Sequence, residues 1–150
     1  MTTINSPGAS TTRVDTAFGT FHVTPDDVIA FPAGMPGFEQ CRQFVLLSSD
    51  ELAPFQCLQS VDGPAASFLV IDPRRALPDY RCALSETDRV RLGGSEQDAL
   101  LWAAIVTVQA DQTLVNLRAP VVINPALMVG YQLMPCNSLY PLRFELTRLY

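Results

Sequence analysis

The sequence predicts an all-β protein: a compact antiparallel, barrel-like fold with one or two short helices. Three observations lead there. Twelve prolines spread over 150 residues leave few windows long enough for a helix. Short runs rich in Val, Ile, Phe and Thr, bounded by Gly, Pro, Asp and Asn, recur to the end of the chain. Some of these runs, 44–47 and 103–108 among them, are apolar at consecutive positions, which suits strands packed on both faces and not an open sheet with one wet face.

The elements follow in order. Residues 1–12 hold Ser, Thr, Gly and Pro with little apolar content and read as a flexible leader; 13–150 read as one β domain. Residues 12–16 and 20–23 flank Ala17-Phe18-Gly19 as a hairpin. A short strand at 28–31 is stopped by Pro32, and 33–38 (AGMPGF) form a tight loop pinned by Gly and Pro. Strands are expected at 44–48, 55–61 and 67–71, with Asp62-Gly63-Pro64 turning between the last two. Asp72-Pro73-Arg74-Arg75 reads as a solvated, salt-bridged corner that ends the third strand. The best helix signal is Ser85-Glu86-Thr87-Asp88, in which Ser85 caps and Asp88 sits at the third position; Gly93-Gly94 would close it after about two turns. A second S-x-x-D, Ser95 to Asp98, adds another candidate turn. Residues 100–108 and 114–117 pair around Ala110-Asp111-Gln112, and 121–124, 129–134 and 143–146 complete the sheet.

Composition narrows the function. Hydrophobic residues make up 48% of the chain, which argues against wholesale disorder. No apolar run approaches the roughly 18–20 residues that cross a bilayer, so no membrane partner is expected. The first thirteen residues carry one basic residue and no apolar stretch, so a secretory signal is not expected and the cytosol is. All ten cations are Arg, and the net charge is −5. Such a chain is poorly suited to phosphate backbones, which call for clustered cations, and better suited to a basic protein partner.

Catalytic groups are scarce. The one histidine, His22, lies in a probable strand and points away from Phe21 and Val23 by alternation, most simply to solvent. No G-x-S-x-G elbow accompanies it. Asp26 and Asp27 are adjacent ahead of a strand, where capping is the plainer role. Gly34-Met35-Pro36-Gly37 is no phosphate loop, because Pro36 lacks an N–H and the spacing fits neither glycine-rich fingerprint. Cys41, Cys57, Cys82 and Cys136 form no C-x-x-C pair, so neither a metal site nor a cofactor is expected and the thiols read as small buried hydrophobes. An enzyme has no visible machinery here, and direct nucleic-acid binding has no basic–aromatic strand to use.

Eight segments, in order and with matching spacing over 13–143, carry something more specific. Phe18-Gly19 is followed by Ile29-Ala30-Phe31-Pro32-Ala33-Gly34-Met35-Pro36-Gly37-Phe38-Glu39, then by Phe44-Val45-Leu46-Leu47 and Pro54-Phe55-Gln56-Cys57-Leu58-Gln59-Ser60-Val61. Next come Phe68-Leu69-Val70-Ile71-Asp72-Pro73 with Pro78-Asp79-Tyr80, and Ile105-Val106-Thr107-Val108. Asn116-Leu117-Arg118-Ala119-Pro120-Val121-Val122-Ile123-Asn124 and Tyr140-Pro141-Leu142-Arg143 close the series. Together they resemble the bacterial flagellar assembly factor FliW family. The resemblance implies a compact antiparallel β fold and two partners in the cytosol: flagellin, and CsrA, the small RNA-binding regulator that represses flagellin translation. It implies competition between them, so that factor free of flagellin removes CsrA from the messenger and matches synthesis to export.

Charge suggests where such partners would touch. Glu39, Asp62, Asp72 and Asp79 sit in turns or loops of the matching segments and are candidates for contact with a cationic regulator. Phe38 and Tyr80, beside Pro/Gly turns, are candidate aromatic anchors for the apolar side chains of a flagellin helix. Pro32, Gly34, Pro36 and Gly37 are expected to set loop backbone, and Asn116 and Asn124 to satisfy backbone groups at strand ends. The alternative function is a small β-barrel module that holds a small ligand or sugar, for which an apolar pocket with convergent polar groups would be the sign.

Overall fold

A computed structural model describes residues 10–94, 99–135 and 138–150. The expected extra turn at 95–98, and Cys136, lie outside the described residues, as do positions 1–9 of the expected leader. The chain forms two compact units, Met1–Leu69 and Val70–Tyr150. The described residues are mainly antiparallel strand, with two short α-helices, which is the class that the sequence predicts.

In the first unit, β1 (Thr12–Thr16) and β2 (Gly19–Val23) make the expected hairpin, with Thr16 opposite Gly19 and Thr12 opposite Val23. Thr16 Oγ1 stitches the turn, accepting from Phe18 N at 2.9 Å and donating to Gly19 O at 2.9 Å. Alternation turns Val14, Phe21 and Val23 inward, onto Val45, Leu47 and Cys57. His22 faces out. Thr24 and Asp27 cap a 3-10 turn (Pro25–Asp27), the Asp27 carboxylate accepting from Thr24 N at 2.8 Å. β3 (Ile29–Ala30) then pairs with β4 (Gln43–Leu47), and β4 with β5 (Gln56–Ser60). Four consecutive residues in each of β4 and β5 are buried, as a strand covered on both faces requires. β6 (Ser67–Ile71) follows, and the boundary between the units falls inside it.

The second unit opens with α1 (Pro73–Ala76), where the sequence suggests only a corner. Asp72 caps it by accepting from Arg74 N at 2.9 Å, and Pro73 occupies the first helical position, where its missing N–H costs nothing. α2 (Glu86–Arg91) starts as expected, with Ser85 Oγ accepting from Asp88 N at 3.1 Å. β7 (Leu101–Gln109) and β8 (Gln112–Val115) form a hairpin, β9 (Val121–Asn124) pairs with both β7 and β10 (Val129–Gln132), and β11 (Phe144–Glu145) borders β8. β8 ends two residues before the expected 117. Asn116 is the reason: its Oδ1 accepts from Arg118 N at 3.1 Å and Ala119 N at 3.0 Å, a turn that competes with the ladder. Leu92, Leu100, Val122 and Leu133 make a core cluster with Trp102 and Tyr131 against it.

Candidate partner-binding surfaces

In the first unit the loop 32–42 is a constrained piece of backbone. Gly34 has φ +66°, and a Cβ there would lie 2.7 Å from Glu39 Cα, so only glycine lets the two limbs of the loop meet. Phe38 N donates to Met35 O at 2.7 Å and Cys41 N to Phe38 O at 3.0 Å. This winding leaves Phe38 36% exposed with its edge against Phe68, centroids 5.3 Å apart. Glu39 sits beside it, its Oε2 accepting from Gly37 N at 2.8 Å while its carbonyl accepts from Arg42 Nε at 3.1 Å. Asp62 closes the patch from the β5–β6 turn: its carboxylate accepts from Arg42 N at 3.0 Å and Gln43 N at 2.9 Å. The structure therefore brings Phe38, Glu39 and Asp62 together, with Arg42 as the link.

Beside Asp62 runs a groove of about 540 Å³, with β1 on one side and residues 59–63 on the other. Gln59 and Ser60 are buried in its wall, but their polar atoms are occupied. Gln59 Oε1 accepts from Ser67 Oγ, Gln59 Nε2 donates to Ser60 O, and Ser60 Oγ bonds both Pro64 O and Ala66 N. The polar groups of these two wall residues are thus engaged within the protein.

The second unit holds the other three candidates. Asp72 is the α1 cap already described, and its side chain is exposed. Asp79 is exposed and makes no ion pair or hydrogen bond among the described residues. Tyr80 differs from the expectation. It is 4% exposed, its ring lies 4.6 Å from that of Tyr140, and burial, followed by Cys82 and Tyr140 beside it, raises its phenol pKa well above the usual tyrosine value. Tyr80 is a packing residue and not an exposed anchor. The corner at Arg74 and Arg75 is also corrected: both lie in the last turn of α1, and neither forms an ion pair among the described residues. Asn124 behaves as the sequence suggests and does more. Its Oδ1 accepts from Ala126 N and Leu127 N, and its Nδ2 donates to Leu92 O at 2.7 Å, tying the end of α2 to the β9–β10 turn.

Charge divides unevenly along the chain. The first unit holds seven Asp and Glu against two Arg, the second eight against eight, so the net −5 belongs to the first. Cys41 and Cys57 are buried free thiols, and Cys82 is half-buried. No helix among the described residues is long and apolar enough to cross a membrane.

The family model described as FliW protein matches residues 12–146. The chain belongs to the FliW family. It is 36% identical over 140 residues to the flagellar assembly factor FliW of Caldanaerobacter subterraneus subsp. tengcongensis, an alignment covering 89% of this chain and 93% of that one. The flagellar assembly factor FliW of Desulfitobacterium hafniense is 39% identical over 133 residues, covering 87% and 88%. A crystal structure of the flagellar assembly factor FliW superposes with a TM-score of 0.81 at 34% identity, over 90% of this chain and 96% of that one. The role of this FliW chain is therefore in flagellar assembly.

Proposed function

We propose that this chain acts in the cytosol by binding flagellin and, when free of it, by binding CsrA and keeping that regulator off RNA, so that flagellin synthesis follows export. It does this as a binding protein, without catalysis. Its membership of a family of flagellar assembly factors carries the reading. The physics of the surface is consistent with it. A regulator that grips RNA presents Arg and Lys to phosphates. An acidic protein docked beside those cations attracts the regulator and repels its RNA. Glu39 and Asp62 in the first unit, and Asp72 and Asp79 in the second, are the candidate carboxylates. Phe38 is an exposed aromatic for an apolar flagellin side chain to cover.

The test is a competition. Purified chain is mixed with CsrA and a labelled flagellin messenger, and release of the RNA is followed as flagellin is titrated in. The chain should free the messenger, and flagellin should restore repression. If the chain binds neither protein at low salt, the reading fails.

A further inference from the structure

The register of the β1–β2 hairpin fixes where its backbone points. Thr16 faces Gly19 across a two-residue turn, so Thr16, Val14 and Thr12 exchange their N–H···O bonds with Gly19, Phe21 and Val23. The peptide groups of Arg13 and Asp15 therefore point the other way, out of the far edge of β1. Among the described residues β1 and β2 make a sheet of their own, and no third strand covers that edge. Its turn end is closed, because Ala17 N donates to Ser67 Oγ at 3.2 Å. Further along, the edge opens onto the groove between β1 and residues 59–63. There the N–H and C=O groups of Arg13 and Asp15 meet no hydrogen-bonding partner among the described residues. An unpaired strand edge is a template for another strand.

Edges are commonly guarded by like charges, which repel a second copy. β1 carries opposite ones. Thr12-Arg13-Val14-Asp15-Thr16 is self-complementary about Val14. Laid antiparallel on a second copy of itself, with the two Val14 residues opposed, it sets Thr12 against Thr16 and Arg13 against Asp15 at both ends. The backbone agrees with the side chains. Arg13 and Asp15 are the residues whose peptide groups point outward, so each Arg13–Asp15 pair is a hydrogen-bonded one. A slip of one residue sets an outward group against an inward one. A slip of two opposes Asp15 to Asp15 or Arg13 to Arg13. The register is therefore specified by both backbone and charge. The contact already present is a weak competitor: Arg13 Nε lies 2.9 Å from Asp15 Oδ1, with the side chains 68% and 66% exposed. The other side chains on this outer face are Thr20, which donates to Asp15 Oδ1 at 2.9 Å, and His22, opposite Arg13. Asp62, on the far wall of the groove, accepts from Arg42 N and Gln43 N.

We propose that the free edge of β1 pairs with β1 of a second copy of this chain, joining the two hairpins about a two-fold axis. The ladder is short and the first unit is net acidic, so the dimer is a weak one that forms as concentration rises. The pairing is independent of whether the chain binds flagellin or CsrA. The experiment is sedimentation velocity of the full chain from about 10 to 500 µM at about 150 mM salt, where charges more than ~8 Å apart are screened. The parent should pass from monomer toward dimer over that range. Arg13→Asp leaves two acids on each edge and Asp15→Arg two arginines, so each alone should weaken self-association by about tenfold or more. Mixed in equal amounts, the two variants should associate as the parent does, since every acid again meets an arginine. Both substituted side chains are exposed, and circular dichroism checks the fold. Recovery in the mixture shows independently that the hairpin is intact. A parent that stays monomeric throughout overturns the proposal, as does self-association undiminished in both variants. Variants that remain apart when mixed overturn the pairing of Arg13 with Asp15.

Discussion

Replacing Gly34 by Ala strikes the loop that presents Phe38 and Glu39. The new Cβ would stand 2.7 Å from Glu39 Cα, 2.8 Å from its carbonyl oxygen and 2.9 Å from its carbonyl carbon, all of them backbone atoms that no rotamer change can move. Two costs add. Holding an L-residue in the left-handed region takes roughly 1–2 kcal/mol. Forcing an atom into a filled, rigid space takes roughly 1–3 kcal/mol more. The expected loss is therefore about 2–5 kcal/mol. Gly37 is the internal control: its φ is +83°, but nothing lies within 4 Å of a Cβ built there, so Gly37→Ala should incur only the conformational cost of roughly 1–2 kcal/mol. Urea denaturation of the two variants and the parent, compared by midpoint at a common slope, measures both. Thermal midpoints should fall by about 2–4 °C per kcal/mol for a chain of this size. If Gly34→Ala proves no more destabilising than Gly37→Ala, the close approach of the two limbs is not a constraint, and the account of how Phe38 and Glu39 are positioned is wrong.

Asn124→Ala should destabilise the second unit more than any single exposed substitution there. It strands the Leu92 carbonyl, worth roughly 1–3 kcal/mol by itself, and frees Ala126 N and Leu127 N; hydrogen exchange should rise first in α2 and the β9–β10 turn. Tyr80 predicts an alkaline effect. Its folded pKa is raised above the unfolded value of about 10, so the associated stability is complete below pH ~10 and is lost as pH rises through the folded value, at no more than about 1.4 kcal/mol per pH unit. Tyrosinate absorbance should show one of the four tyrosines ionising last. Tyr80→Phe should abolish both the late ionisation and the added slope; an unchanged slope in that variant would remove the assignment.

What was legible in the chain was local. The β1–β2 hairpin, the Ser85 cap and the side-chain turns at Asn116 and Asn124 all depend on neighbours within a few residues, where turn and capping chemistry acts. α1 escaped because an Asp-Pro step begins a turn and a helix equally well; what makes it a helix is the burial of Pro73 and Ala76 and the Leu77 N to Pro73 O bond, at 2.9 Å. The burial of Tyr80 is not legible locally, for a deeper reason. Its surroundings are set by Tyr140, which no local pattern connects to it. The exposed Leu139 and Leu142 escaped in the same way, since their loop is held by Leu117 and Arg118, more than a strand's length upstream.

The same distinction decides which acid can report on charge. Asp62 is half-buried and Asp72 exposed, yet each holds backbone N–H groups, those of Arg42 and Gln43 for one and of Arg74 for the other. Reversing either to Lys removes a turn or a helix cap along with the charge, so weakened CsrA binding by those variants would be ambiguous. Glu39 has the same defect through Gly37 N. Asp79 alone among the four makes no such bond among the described residues. Asp79→Lys therefore changes the field and little else. If the carboxylates act by attracting a cationic regulator, this variant should lower CsrA affinity chiefly by slowing association, and the deficit should shrink as salt is raised from about 50 to 300 mM. An equal deficit at every salt concentration would mean that the contact at Asp79 is one of shape and not of charge.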